Sequence, residues 1–245
     1  MILINIFVIL NLLFFCDNLN KHSSNFGIIN IGINDKNLKH YEGQHFLNNG
    51  ILFNSFLIMD EKILVVDGVE KNYQDEWLAN LQNNLGQKEP DFILIQHVEP
   101  DSSGSFISLI EKYPKIQLIS SKKSFALLKK YYNNDFPNNR IIIKEGDTIK
   151  LGKHILQFIE APMIHWPEVI MTYDHYSKTL FSCDAFGKFG SNDINEPWKD
   201  EARRFYYGIL AKYDKKVQSL LKKLKKFEIK RIYISRAWCN INRKY

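Results

Sequence analysis

Three residues that can bind a metal ion follow a hydrophobic stretch in the segment LIQHVEPDSSGS, residues 94–105. They are His97, Glu99 and Asp101, with one residue between each pair. Alternating residues of an extended segment point to the same side, so these three side chains can face one site. Neighbouring buried carboxylates repel each other unless a cation lies between them. The spacing therefore predicts a metal site.

Further candidate ligands stand at the ends of other predicted strands, where catalytic residues tend to lie. His165 occurs between two prolines in EAPMIHWPE, Asp184 directly follows TLFSC, and Asp67 directly follows ILVV. Taken singly, each such residue is more often a turn former or a satisfied polar group than a ligand. Histidines and acids at successive strand ends are harder to explain in that way, so we predict that they converge.

The proportion of oxygen ligands indicates which metal ion would bind. Zinc hydrolases favour several imidazoles or thiolates. This set combines the carboxylates of Glu99, Asp101 and Asp184 with the imidazoles of His97 and His165. Because a carboxylate-rich set with imidazoles suits iron or manganese better than zinc, we predict one of those metals at these residues.

The elements that must position these residues alternate along the chain. ILFNSFLIMD and KILVVDG predict one hairpin, VIMTYD and KTLFSCD predict another, and DFILIQH predicts a strand that is buried on both faces. NYQDEWLANLQNNLG and KKSFALLKKYY predict helices. The chain thus has strands and hairpins first, then a β–α alternation, and then the same order again. This order predicts two face-to-face β-sheets with helices outside. This is an α+β fold.

Composition and charge are those of a globular protein. The 245 residues are 45% hydrophobic and 24% charged, and the formal charge of +6 comes mostly from KKVQSLLKKLKKFEIKR, residues 215–231. We interpret that stretch as a helix with a solvated face rather than an anion-binding surface, and we infer no nucleic-acid binding. Cys16, Cys183 and Cys239 are too far apart to indicate a disulfide framework, which favours a reducing, cytoplasmic compartment.

The first residues, MILINIFVILNLLFFC, are almost wholly apolar. The stretch is short for a membrane span, and it lacks the basic residue and the cleavage site of a signal peptide. A signal, a membrane anchor and a spurious extension are the alternatives. We therefore assign residues 1–20 to a separate N-terminal segment and residues 21–245 to one domain.

At the motifs quoted above, the chain resembles the metallo-β-lactamase-like diiron domain of flavodiiron proteins, also called A-type flavoproteins. The likeness covers about residues 24–235 and includes QHVEPDSSGSF, EAPMIHWPEVIMTYD and LFSCDAFGKFG in the family's order. Plain metallo-β-lactamase hydrolases carry H-x-H-x-D-H, whereas Glu99 stands here at the second histidine. The resemblance implies an αββα sandwich with a non-haem diiron centre that reduces dioxygen, nitric oxide or both.

Carried over residue by residue, the resemblance implies ligands for two irons. His97, Glu99 and His165 would bind the first iron, Asp184 would bridge both, and Asp101 would bind the second. No catalytic residue beyond these ligands is implied. In the family, electrons arrive from FMN in a C-terminal flavodoxin-like domain, across a head-to-tail homodimer.

Three departures from the family pattern limit what we expect. Ser102 stands where the motif H-x-E-x-D-H has its last histidine. The family's last iron ligand is a histidine in a Ser-x-His-Gly-like stretch after the final strand, whereas IYISRAWCNINRKY contains none. No flavodoxin-like domain follows, so FMN would come only from a separate chain. We expect a full first iron site, a partial or empty second site, and slow or no turnover by this chain alone.

The second and third departures can share one cause. The codons of Ala237 and Trp238, read one base later, can encode His-Gly, the family's expected ending. We therefore hypothesise a C-terminal truncation by a frameshift near residues 235–237. The alternative is chance, since any Ala-Trp pair can be read in this way.

The sequence leaves several functions open. The first is an oxidoreductase that acts on dioxygen or nitric oxide with a separate flavoprotein or rubredoxin-like electron donor. The others are a single-domain oxygen-binding diiron sensor, a metal-dependent hydrolase of the metallo-β-lactamase fold, and a degenerate product without activity. Glu99 in place of histidine argues against the hydrolase, and the missing last ligand argues against the reductase and, less sharply, the sensor.

Overall fold

The structure is a computed structural model that describes residues 26–191 and 198–239. The predicted segment 1–20 and the final residues of the chain lie outside this described part. Within those two ranges, none of the helices combines the length and the hydrophobicity that a membrane crossing requires.

Two six-stranded sheets form the centre of the fold. The first has the order β1-β6-β7-β8-β9-β10, and the second runs from β11 to β16 in chain order. Two short ribbons, β2-β5 and β3-β4, lie apart from these sheets. The strands are β1 (Ile28–Asn30), β2 (Ile33–Asp35), β3 (His40–Tyr41), β4 (His45–Phe46), β5 (Ile51–Phe53), β6 (Phe56–Met59), β7 (Ile63–Val66), β8 (Phe92–Leu94), β9 (Gln117–Ser121), β10 (Arg140–Ile143), β11 (Thr148–Lys150), β12 (Ile155–Glu160), β13 (Ile170–Asp174), β14 (Thr179–Phe181), β15 (Arg231–Ile234) and β16 (Ala237–Cys239).

Helices follow or separate the strands. The α-helices are α1 (Gln74–Leu85), α2 (Pro100–Ser103), α3 (Phe106–Lys112), α4 (Lys122–Tyr132), α5 (Trp198–Phe205) and α6 (Asp214–Leu224). Short 3₁₀ turns at Lys71–Tyr73 and Ala211–Tyr213 and a π-helical turn at Tyr206–Leu210 complete them. The lysine-rich stretch is helical only up to Leu224, in α6, whose leucines and valine are buried while most of its lysines are exposed, as expected for a solvated helix face.

Both predicted hairpins are confirmed. Strands β6 and β7 pair antiparallel, with Phe56 opposite Val66, and β13 pairs antiparallel with β14. Strands β7, β8 and β9 run parallel, and so do β14 and β15. Parallel neighbours end at the same edge of a sheet, so the residues that follow them are brought together.

The main packing layers explain the continuous apolar runs of the strands. Along β6, Phe56 and Ile58 pack between the two sheets, whereas Leu57 packs in the cluster that includes the helices. Phe56 stacks on Tyr233 of β15 with ring centroids 5.0 Å apart. Each sheet is therefore buried on both faces, which requires apolar side chains at successive positions. The predicted αββα sandwich of the α+β class is confirmed.

A buried ion pair holds the turn between β13 and β14. His154 Nδ1 donates to Asp174 Oδ2 over 2.8 Å, and Ser177 N donates to the same oxygen over 3.0 Å. Burial would lower the pKa of His154, but Asp174 raises it above the ordinary value of 6.5. Burial would raise the pKa of Asp174, but the hydrogen bond with His154 lowers it below the ordinary value of 3.8. Each group therefore stabilises the charge of the other.

We expect Asp174→Asn to lower the free energy of unfolding by about 3 kcal/mol, because it removes one partner of a buried pair. The histidine contribution is present below pH 6.5 and is lost as pH rises through its raised pKa, and the aspartate contribution is present above pH 3.8. Urea unfolding should therefore show the largest difference in stability between the wild type and Asp174→Asn when the pH lies between 3.8 and 6.5.

The matched control is Asp200→Asn, which removes an exposed carboxylate that pairs with Arg203 on α5. Such surface pairs contribute about 0–1 kcal/mol, so the control should change stability little. A loss for Asp174→Asn as small as that of the control would contradict a stabilising role of the buried pair.

Candidate metal centre

Four of the five predicted ligands converge in one buried cluster. His97, Glu99, His165 and Asp184 each offer one ligand atom, and these atoms all lie within 4.8 Å of one another. They come from three loops that are far apart in the chain, so the fold and not local spacing brings them together.

The donor atoms of the cluster face a common point. His97 Nε2 lies 2.9 Å from Glu99 Oε2 and 3.3 Å from Asp184 Oδ2. His165 Nε2 lies 3.2 Å and 3.3 Å from the same two oxygens. Two imidazole nitrogens and two carboxylate oxygens therefore surround a single position, as a metal site with mixed nitrogen and oxygen ligands requires.

Backbone hydrogen bonds join the loops that carry these side chains. Ile170 N, at the start of β13, donates to Gln96 O over 3.0 Å and so ties the His97 loop to the strand after His165. Ser235 N, after β15, donates to Cys183 O over 2.9 Å, directly before Asp184. Cys183 has a φ of 55°, a left-handed conformation that is strained for a residue with a side chain. The contacts between strand ends hold that conformation.

A residue that the sequence did not indicate orients His97. That residue is Glu168. His97 Nδ1 lies 2.9 Å from Glu168 Oε1, and the same oxygen accepts a hydrogen bond from Val98 N over 3.1 Å. With Nδ1–H donated to a carboxylate, Nε2 is the nitrogen that would bind a metal ion at the cluster, after losing its proton. The Trp166 ring packs edge-on against His97, with centroids 5.3 Å apart. Glu168 and Trp166 therefore fix the imidazole on two sides.

Asp67 supports the site and is not part of the cluster of four. Its carboxylate accepts hydrogen bonds from Gln96 N over 2.7 Å and from Gln96 Nε2 over 3.1 Å. Burial raises the pKa of Asp67 to about 6, and the bonds from Gln96 oppose that rise. Asp67 thus holds the segment that leads from β8 to His97.

Asp101 contacts a different cation. Its Oδ2 forms a close ion pair with Nη2 of Arg236, a fully buried residue that directly follows Ser235. The same Nη2 donates to Ser102 Oγ over 3.0 Å, and Arg236 Nε lies 3.8 Å from Asp184 Oδ1. Asp184 therefore directs one oxygen toward the imidazoles and the other toward the guanidinium.

The charged groups of the metal-free centre stabilise one another against the cost of burial. Burial would lower the pKa of His165, but Asp184 and Glu99 raise it to about 9. Burial would also lower the pKa of His97, but Glu168 and Glu99 raise it well above 6.5. Burial would raise the pKa values of Glu99 and Asp184, but neighbouring cations lower both. Protonated imidazoles thus carry the positive charge that a metal ion would otherwise supply.

The residues present fit a metal ion at the cluster of four. Among the described residues, His165 Nε2 and Asp184 Oδ2, the two atoms that face each other across the cluster, are buried without a hydrogen bond of acceptable geometry. Buried polar atoms without partners are costly, and a cation at their common point would satisfy them. The mixed imidazole and carboxylate donors suit iron or manganese.

Two residues of the site escaped prediction from sequence. Glu168 stands three positions after His165 in IHWPE, and Arg236 follows the final apolar strand in IYISRAW. In both cases, the sequence feature that could have indicated a functional residue was a charged residue next to a buried strand. The partner of each side chain lies on another loop, so spacing alone could not identify it.

Comparison with known proteins agrees with this geometry. Residues 51–237 match the sequence model of the ODP family, described as a β-lactamase family. A nitric oxide reductase of Moorella thermoacetica is 31% identical over 212 residues, which are 83% of this chain and 53% of that protein.

Solved structures of flavodiiron proteins have the same fold as this chain. The flavodiiron protein of Giardia intestinalis superposes with a TM-score of 0.80 at 25% identity, covering 91% of this chain and 56% of the other. The rubredoxin oxygen:oxidoreductase of Desulfovibrio gigas superposes with a TM-score of 0.84 at 23% identity, covering 89% of this chain and 57% of the other. The chain thus spans about half the length of these relatives.

We expect Glu168→Gln to weaken ferrous ion binding by about 10–100-fold, because partners that orient metal-bound histidines contribute to affinity in this range. The exposed Glu111→Gln on α3 is the matched control and should leave affinity unchanged. Anaerobic competition with a chromophoric chelator measures both variants. Equal affinities in the two variants would show that Glu168 does not orient a metal ligand.

The raised pKa of His165 predicts a pH dependence of stability. In the metal-free chain this histidine stabilises the fold below pH 6.5, and the contribution is lost as pH rises through about 9. Unfolding followed in urea across this interval should show declining stability for the wild type.

A bound metal ion needs neutral imidazoles, so saturating Mn²⁺ should reduce that decline. His165→Asn should also reduce it, whereas the exposed His175→Asn should not. Constant stability of the metal-free wild type across the interval would contradict the charge arrangement of the cluster.

Proposed function

This chain belongs to the ODP family of β-lactamase-like proteins, and from that premise we propose that it is the metal-binding core of an oxidoreductase that reduces dioxygen or nitric oxide at non-haem iron. The observation that carries the proposal is the convergence of His97, Glu99, His165 and Asp184 within 4.8 Å. Similar proteins, a nitric oxide reductase and a rubredoxin oxygen:oxidoreductase, support the same class of reaction.

The residues of the cluster would hold iron, whose change of oxidation state supplies the redox chemistry when it is bound. The Glu99 and Asp184 carboxylates stabilise positive charge, and the two imidazoles complete a mixed donor set. Glu168 keeps Nε2 of His97 directed at the cluster by binding Nδ1. Each side chain is buried, so bulk water has little access to the donors.

A largely apolar cavity, lined in part by sequence neighbours of two candidate ligands, suits small uncharged substrates. Its lining includes Ile164, Ala185, Phe186 and Phe205. Ile164 directly precedes His165 and Ala185 directly follows Asp184, although the candidate ligands themselves are not among the residues that line the cavity. An apolar lining offers nothing to bind a charged or strongly polar substrate, whereas dioxygen and nitric oxide enter such a space at little cost.

We propose that a flavoprotein carrying FMN, or a rubredoxin-like protein, donates the electrons, and that two copies of the chain associate head to tail. Glu99 at the position of a hydrolase histidine makes a hydrolase the less favoured alternative, because zinc hydrolases rely on several imidazoles.

The experiment combines the iron-loaded chain with a chemically reduced FMN flavoprotein and follows dioxygen and nitric oxide with gas electrodes. We expect consumption only when iron, donor and chain are all present. His165→Asn, which removes an imidazole ligand, should lower the rate at least tenfold, or about 1.4 kcal/mol in barrier terms. The exposed His175→Asn is the matched control.

Two results would contradict the proposal. Gas consumption that persists unchanged in His165→Asn would separate the activity from the cluster. A stable optical change on exposure to the gas, without consumption, would identify an oxygen-binding sensor instead of an enzyme.

A further inference from the structure

We propose that the guanidinium of Arg236 takes the place of a second metal ion in this centre, so that the chain binds a single metal ion. The inference deepens the proposed function and rests on its metal site at His97, Glu99, His165 and Asp184. It concerns the region between Asp101 and Asp184, where the family resemblance implies a second iron and the structure places a side-chain cation.

The contacts of Arg236 are those that a second cation would need. Nη2 forms a close ion pair with Asp101 Oδ2, and Nε lies 3.8 Å from Asp184 Oδ1. Asp184 Oδ2 is the oxygen that faces His97 and His165. Asp184 therefore bridges two positive positions, one at the imidazole cluster and one filled by the guanidinium.

The surroundings of Arg236 form a specific site for a guanidinium. The side chain is fully buried, and its Cζ lies 5.7 Å from the ring centroid of Tyr41 and 5.3 Å from that of Phe53. Aromatic faces at this distance attract a planar cation. Asn54 holds the backbone before it, since Asn54 N donates to Ser235 O over 2.9 Å.

The small side chain of Ser102 leaves space for the guanidinium of Arg236. Ser102 Oγ accepts from Arg236 Nη2 over 3.0 Å, and a larger side chain would need the space of that nitrogen. Ser102 is also the position at which the sequence departs from H-x-E-x-D-H, and Arg236 lies in the stretch that lacks the expected histidine. One buried guanidinium thus connects both departures in a single arrangement.

A guanidinium at this position excludes a metal ion by charge and by space. Arginine stays protonated in proteins, so it cannot release a proton to become a ligand or to reduce repulsion. Its ion pair with Asp101 uses the carboxylate that a second metal would need. Displacing it would leave a buried cation without its anion, which typically costs several kcal/mol.

The experiment loads the purified full chain with excess Mn²⁺ alone and removes unbound metal by gel filtration. Elemental analysis then gives the Mn²⁺ content per chain, and electron paramagnetic resonance distinguishes an isolated ion from an exchange-coupled pair. We expect one isolated Mn²⁺ in the wild type and in Arg236→Lys, which keeps the positive charge. In Arg236→His, which replaces the cation with a ligand, we expect a second, coupled Mn²⁺.

The outcomes separate this inference from the proposed function. Two coupled ions in the wild type would overturn the role of Arg236 and leave the metal site standing. No bound Mn²⁺ in the wild type would overturn the metal site and this inference with it. A folded Arg236→His that still binds one ion would show that the guanidinium is not what closes the second position.

Folding of the variants is checked by circular dichroism. If Arg236→His does not fold, Arg236→Gln replaces it, because it removes the charge and keeps much of the length. A second ion in Arg236→Gln supports the inference, and a single ion overturns it. The wild-type content and spectrum decide independently of any variant.

Discussion

The compensation of buried negative charge is the constraint on which this centre depends. Glu99 and Asp184 are buried carboxylates, with the partly buried Asp101 beside them, and isolated carboxylates in the interior would be very costly. In the metal-free chain, two imidazoles and the guanidinium of Arg236 provide the compensating charge. The arrangement is therefore a network in which every anion has a cation, and loss of one member affects the others.

The two-sheet architecture allows this network to form from distant segments. Strands β7 and β8 end beside each other in the first sheet, and β14 and β15 end beside each other in the second. His97 follows the first pair, and Asp184 and Arg236 follow the second. Because the ligands come from both sheets, the site exists only when the sheets have packed, and metal binding is thereby coupled to folding.

The comparison with flavodiiron proteins shows a shared fold. The backbone superposes on those structures over about 90% of this chain, with TM-scores of 0.80 and 0.84. Fold similarity does not determine how many metal ions bind, because that depends on the few side chains at the strand ends. In the present chain those side chains include a buried arginine that faces Asp101 and Asp184.

The sequence by itself determined the strands, the hairpins and the types of side chain at the strand ends. Apolar runs and turns are local properties, so β6-β7 and β13-β14 could be predicted together with the candidate ligands His97 and His165. The alternation of His97, Glu99 and Asp101 predicted that all three would share one site. Asp101 instead pairs with Arg236. Arg236 is remote in the chain: its hydrogen bond to Ser102, the residue after Asp101, joins positions 134 apart.

Only the tertiary structure decided which cation each acid meets. Glu168 lies 71 positions from the imidazole that it orients, and Asp67 lies 29 positions from the backbone amide of Gln96 that it binds. The physical reason is that spacing along one segment fixes the relative direction of its own side chains. The partner that arrives from another loop is fixed by the packing of the two sheets.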